Sequence, residues 1–112
     1  MYSQEVKNSQ LTIIGTGLAG MTAALFASNR GISTTVVGSS GESIFASGLL
    51  DLMGIHPLIS RREWQDPWAG IETLSKDIPF HPYARLKKQD TMAALEELTS
   101  FFHDAGVSYH LK

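Results

Sequence analysis

The chain has 112 residues, no cysteine and ten glycines, and nine Lys/Arg against eleven Asp/Glu give a formal net charge of −2. Lacking cysteine, it carries no disulfide, thiolate nucleophile, cysteine-bound zinc or iron–sulfur cluster, and lacking excess positive charge it has no electrostatic footprint for nucleic acid. No apolar run reaches the ~18–20 residues of a membrane helix, Asp51 breaks the best stretch, and residues 1–10 have no signal-peptide core; a soluble, cytoplasmic α/β domain is the expected class.

Residues 1–10, apolar beyond Met1 only at Tyr2 and Val6, read as a flexible N-terminal arm, and 11–112 as the N-terminal portion of a nucleotide-binding domain. Leu11-Thr12-Ile13-Ile14 is short, apolar and β-branched, the pattern of a parallel strand buried on both faces. A helix is expected from Leu18 to Asn29. Its small face combines Ala19, Ala23 and Ala27 with Gly20 and Ala24, and Leu25 and Phe26 stand at the edges. Arg30 suits the negative end of its dipole, and Gly31 the left-handed exit. Residues 33–37 are β-branched almost throughout and predict the second strand of a βαβ unit.

From Gly38 to Gly54 the pattern loosens into a loop with one helical turn expected at 49–53, ended by His56-Pro57. Asp66-Pro67 pairs a capping carboxylate with a first-turn proline, so a helix is expected from Pro67 to about Asp77, stopped by Pro79. The run Phe80-His81-Pro82-Tyr83 reads as irregular. Asp90 is expected to cap an amphipathic helix carrying Leu95, Leu98, Phe102 and Ala105, with Gly106 as its stop and a strand beginning at Val107-Ser108-Tyr109-His110-Leu111. A strand broken near its start predicts an incomplete fragment of a larger protein, with uncovered sheet edges that promote self-association.

Gly15-Thr16-Gly17-Leu18-Ala19-Gly20 is the strongest signal in the chain. A bare G-x-G-x-x-G is weak, but here it leaves a strand pattern, opens a small-residue helix and leads to a second strand. Gly15 serves the tight turn, Gly17 admits a phosphate to the backbone, and Gly20 lets the helix lie close on the sheet, so the anion rests on the bare N–H groups of the helix start. The acid that normally binds the adenosine ribose about 20 residues on is missing: Val37-Gly38-Ser39-Ser40 fills its place, and no arginine from 31 to 60 serves a 2′-phosphate. A hydroxyl such as that of Ser39 makes one neutral hydrogen bond where a carboxylate accepts two charged ones, a deficit of roughly 1–3 kcal/mol. Tight NAD binding is disfavoured, and FAD held through its pyrophosphate or FMN remain.

The glycine turn, Ser47-Gly48 followed by Leu50-Asp51-Leu52, and His81-Pro82-Tyr83 together resemble the B subunit of anaerobic glycerol-3-phosphate dehydrogenase. The resemblance is most specific over 12–53 and around His81. It implies a Rossmann-like FAD/NAD(P)-binding fold with a parallel sheet, and a flavin-dependent oxidoreductase subunit. The reaction implied takes sn-glycerol 3-phosphate to dihydroxyacetone phosphate, with electrons passing to the quinone pool. It also implies FMN ahead of FAD, a catalytic flavin subunit and an iron–sulfur subunit as partners, and a cytoplasmic place at the inner membrane through those partners. Family members are longer, so this portion alone is expected to be inactive. Gly15, Thr16, Gly17, Leu18, Ala19 and Gly20 carry over as the phosphate turn, and Ser47 and Gly48 as neighbours of the flavin or its ribityl chain. Other readings are a different FAD-dependent dehydrogenase or oxidase, and a non-catalytic electron-transfer or assembly subunit.

The remaining candidates are weaker. Asp51 reads equally as a ligand contact or as a cap or paired structural charge. His56 and His81 each precede proline, which favours turn geometry over proton transfer, and His103 reads as surface; no histidine spacing suits a metal. The serines lack nucleophile-elbow spacing. Arg61-Arg62 and Lys87-Lys88 read as solvated charge, and Trp64 and Trp68 as a local cluster or an exposed patch.

Overall fold

A computed structural model describes residues 8–39 and 48–109, and the chain divides into two units, Met1–Leu49 and Leu50–Lys112. The expected arm over residues 1–7 lies outside the described residues. In the first unit, strand β1 (Leu11–Ile14), helix α1 (Leu18–Asn29) and strand β2 (Thr34–Val37) form the expected βαβ unit. The strands are parallel, with Leu11 opposite Thr34 and Ile14 opposite Val37. Gln10 secures the sheet's lower end: its backbone N–H donates to the Ser33 carbonyl at 2.9 Å, and its side-chain oxygen accepts from the Ser33 N–H at 3.0 Å.

Helix α1 packs its Gly20, Ala24 and Ala27 side towards the strands, while Ala19 and Ala23 are exposed, so the small face lies one residue round from the alanine repeat in the sequence. Ala27 is buried, and a Cβ at Gly20 would come within 3.5 Å of Ile13 Cγ2. The helix closes with paired bonds from Gly31 N–H to the Ser28 carbonyl and from Ile32 N–H to the Ala27 carbonyl. Arg30 adds a bond from Nη1 to the Phe26 carbonyl at 2.8 Å, where the dipole favours a cation. Two-faced burial of β1 is not observed: Leu11 is exposed and Ile14 is 87% exposed. A two-stranded sheet covered on one side by one helix has no second layer to hide the other face.

In the second unit, residues 49–53 form no helical turn. The chain instead turns through a cis His56–Pro57 peptide, and Ile55 pairs antiparallel with Glu63. Helix α2 (Pro67–Asp77) starts as expected: Asp66 stays extended and its carboxylate accepts from the Trp68 N–H at 2.9 Å, with Pro67 in the first turn. Asp66→Ala is expected to cost about 1 kcal/mol, read as a lower midpoint in urea. On the exposed face, Lys76 donates to Glu72 at 2.7 Å, and this bond and the Lys76 charge hold the Glu72 carboxyl below its ordinary range. Its small contribution is therefore present above the unfolded carboxyl's pKa and lost as pH falls through the lowered value. Glu72→Gln is expected to match the parent's thermal midpoint in acid and fall slightly below it at neutral pH.

Two expectations change after α2. The run Phe80-His81-Pro82-Tyr83 is not irregular throughout: Pro82–Arg85 forms a 3-10 turn, capped by His81 Nδ1 accepting from the Tyr83 N–H at 3.1 Å. Helix α3 (Lys88–Asp104) has Lys87 at its N-cap position with no side-chain capping bond, and Asp90 sits inside its first turn rather than before it. Leu98 is buried, Leu95 and Phe102 are half-buried, and Ala105 falls outside as the exposed C-cap. Gly106 ends the helix at φ 85°, where Val107 N–H returns to the Phe102 carbonyl. The expected strand is absent over Val107, Ser108 and Tyr109, because Val107 is used in the helix closure and Tyr109 stacks on Phe102 at 5.0 Å. His110 and Leu111 lie outside the described residues.

Candidate flavin-binding turn

The site is built where β1 hands over to α1. Gly15 has φ 113°, a conformation that excludes ordinary side chains, and its N–H donates to the Val37 carbonyl at 2.8 Å, tying the turn to the end of β2. Gly17 is the extended N-cap of α1 and has no side-chain capping bond. The first intrahelical bond runs from Met21 N–H to the Gly17 carbonyl at 3.0 Å, so helix geometry leaves the N–H groups of Leu18, Ala19 and Gly20 without an acceptor inside the helix. No acidic residue occupies the first turn, and an ideal Cβ at Gly17 would meet nothing within 4 Å among the described residues. Open space beside bare amides at a positive dipole end fits the phosphate of a nucleotide or flavin. At Gly20 the demand is opposite: a Cβ there would overlap the Gly15 carbonyl oxygen, so its missing side chain brings helix and strand together.

Thr16 does more than its place in the motif suggested. Its hydroxyl donates to the Ser39 carbonyl, and a Cβ at Gly38 would lie 2.9 Å from Thr16 Cγ2. Ser39 thus joins the turn through its backbone. Leu18 is half-buried and accepts the Thr22 hydroxyl on its carbonyl, while Ala19 is exposed. Gly48 is exposed in a left-handed bend at φ 79°, and Ser47 lies outside the described residues. The sequence signal for the Thr16–Gly38 contact was a glycine standing directly after β2.

The second unit's candidates resolve into structural roles. Asp51 is exposed, and no helix begins there for it to cap. His56 is buried, with Nε2 at 2.8 Å from Asp77 Oδ2 and its carbonyl accepting from Trp64 Nε1–H at 2.7 Å. The Tyr83 hydroxyl donates to the Leu52 carbonyl at 2.7 Å. Trp64 and Trp68 take separate partners: Trp64 lies under the Arg62 guanidinium at 3.8 Å and Trp68 under Lys88 at 4.9 Å. Among the described residues no three acidic or histidine side chains converge as metal ligands, and no helix is long and apolar enough to cross a membrane.

A parallel βαβ unit with an uncapped glycine turn defines a nucleotide-binding domain of the flavoprotein kind. Residues 10–112 match the FAD binding domain, and the chain belongs to that family. FAD, not FMN, is the flavin in that description, so the expectation that put FMN first is not supported; a missing ribose contact lowers affinity without identifying the molecule. The chain is 36% identical over 101 residues to a protein of Aliivibrio fischeri named as the B subunit of anaerobic glycerol-3-phosphate dehydrogenase, a match covering 89% of this chain and 22% of that protein. Proteins of the same name from Vibrio vulnificus and Haemophilus influenzae are 31% and 32% identical, covering 92% and 80% of this chain and 23% and 22% of theirs. The chain therefore spans about a fifth of the length of the curated relatives it matches. No solved structure matches it.

Proposed function

We propose that the chain is the nucleotide-binding part of a flavin-dependent oxidoreductase subunit that uses FAD and takes part in oxidising glycerol 3-phosphate. The uncapped start of α1, open above Gly17, carries this reading, and the names of the relatives supply the substrate. A bound flavin supplies the redox chemistry. The residues of this chain bind and orient it: the Leu18, Ala19 and Gly20 amides meet the pyrophosphate, Gly17 leaves it room, and Gly15 and Gly20 fix the turn against the sheet. The relatives' designation as one lettered component of a dehydrogenase supports partner subunits; we take these to be a catalytic flavin subunit and an iron–sulfur subunit, working in the cytoplasm at the inner membrane.

The test is the cofactor released by acid from the purified full-length protein, run against FAD and FMN standards. FAD is the expected result. FMN would overturn the choice of flavin, and a colourless protein that still assembles with partner subunits would turn the reading towards a non-catalytic subunit.

A further inference from the structure

The position directly after β2 is where a carboxylate about 20 residues past the glycine turn would meet an adenosine ribose diol. Gly38 stands there, and the space a side chain would need is already filled. An ideal Cβ at Gly38 would lie 2.9 Å from Thr16 Cγ2, 3.0 Å from Thr16 Oγ1 and 3.1 Å from the Thr16 nitrogen. All three approaches are too close for ordinary packing; two come from a side chain that is itself held and the third from the backbone. The Thr16 hydroxyl donates to the Ser39 carbonyl, and one residue earlier Gly15 N–H donates to the Val37 carbonyl at 2.8 Å. Successive residues of the glycine turn are thus fastened to the end of β2 and the loop that follows it.

We infer that Thr16 and Gly38 form a coupled specificity pair: Thr16 takes up the stem position of a ribose-binding side chain, so the site grips its flavin from the phosphate end and discriminates little for the adenosine half. The inference rests on the flavin reading above and deepens it. A carboxylate at position 38 cannot be added alone, because its first carbon collides with Thr16. Cutting Thr16 back to alanine removes the two side-chain contacts and leaves only the 3.1 Å approach to backbone nitrogen, which a few tenths of an ångström relieves.

Four forms of the full-length protein test this: the parent, Gly38→Glu, Thr16→Ala and the double variant. Each is stripped of cofactor and titrated separately with FAD and FMN, and its thermal midpoint is measured without flavin. The parent is expected to bind the two flavins within about threefold of each other. Gly38→Glu alone should melt several degrees lower, and the double variant should recover most of that loss. The double variant should also favour FAD over FMN by about tenfold or more, the effect of one charge-assisted bond to the diol.

A Gly38→Glu protein of unchanged midpoint that favours FAD by itself would overturn the inference, as would a parent that already favours FAD a hundredfold. A double variant no better than the sum of its single changes would do the same. Binding of neither flavin by the parent would remove the functional reading. The thermal cycle with Gly38→Ala and Thr16→Ala would then still decide the coupling, since the paired change must restore a midpoint that Gly38→Ala lowers.

Discussion

Gly17→Leu is expected to empty the full-length protein of flavin while leaving it folded. Gly17 has φ −72° and ψ −177°, a conformation open to any residue, and none of the described residues lies within 4 Å of its absent side chain, so the fold is expected to tolerate the bulk. Even as an N-cap, exchanging glycine for an aliphatic residue is a change of about 1 kcal/mol or less. On the proposed reading the ligand does not tolerate it, because the side chain would stand in the space through which a phosphate would reach the amides of α1. Losing one or two charge-assisted hydrogen bonds at roughly 1.5–3 kcal/mol each weakens binding by about tenfold to ten-thousandfold. Bound flavin per polypeptide and the thermal midpoint of the apoprotein, measured together, check the result. Unchanged occupancy would mean that the turn does not seat the cofactor.

The second large effect has a sign that helix propensity alone gets wrong. In a helix interior, Gly→Ala stabilises by about 1 kcal/mol, and Gly20 lies inside α1. Here the added methyl would overlap the Gly15 carbonyl oxygen, a backbone atom that cannot swing aside, and crowd the Gly15 carbonyl carbon. Helix and strand must separate, and Gly20→Ala is expected to destabilise by about 3 kcal/mol, the scale of overpacking against a rigid neighbour. Denaturant midpoints decide between the two signs. Ala23→Gly, on the exposed side of the same helix, is the control and should cost only the propensity difference of about 1 kcal/mol.

What the sequence revealed depended on how local each signal was. The βαβ unit was legible because β-branched runs, small residues four apart and a glycine at each helix end act within a few residues of themselves. Gly15, Gly17 and Gly20 could be given separate tasks for the same reason: the left-handed turn at Gly15 and the close helix–strand approach at Gly20 are observed, and the phosphate seat at Gly17 is the proposal that Gly17→Leu tests. The Thr16–Gly38 contact was not read, although a glycine stands directly after β2, since it joins two loop positions brought together only when the parallel register of β1 and β2 is set. Asp66-Pro67 and His81-Pro82 carry the same signature, a polar capping side chain before a first-turn proline. The first was read as a helix start and the second as a break, because no apolar repeat followed it. At α3 the error ran the other way: residues 88–90 are polar, so the amphipathic pattern begins after the helix does, and Asp90 was mistaken for its cap. The absent carboxylate left FAD and FMN both open; FMN was put first by the family resemblance, and the matched domain supports FAD instead.

Both tryptophans of the chain, Trp64 and Trp68, fall in the unit Leu50–Lys112, and Trp64 is bonded to the His56 carbonyl beneath the Arg62 guanidinium. Indole fluorescence therefore has its emitters in that unit alone. Circular dichroism sees the helices of both halves, so the gap between the two melting curves measures how independently the halves unfold.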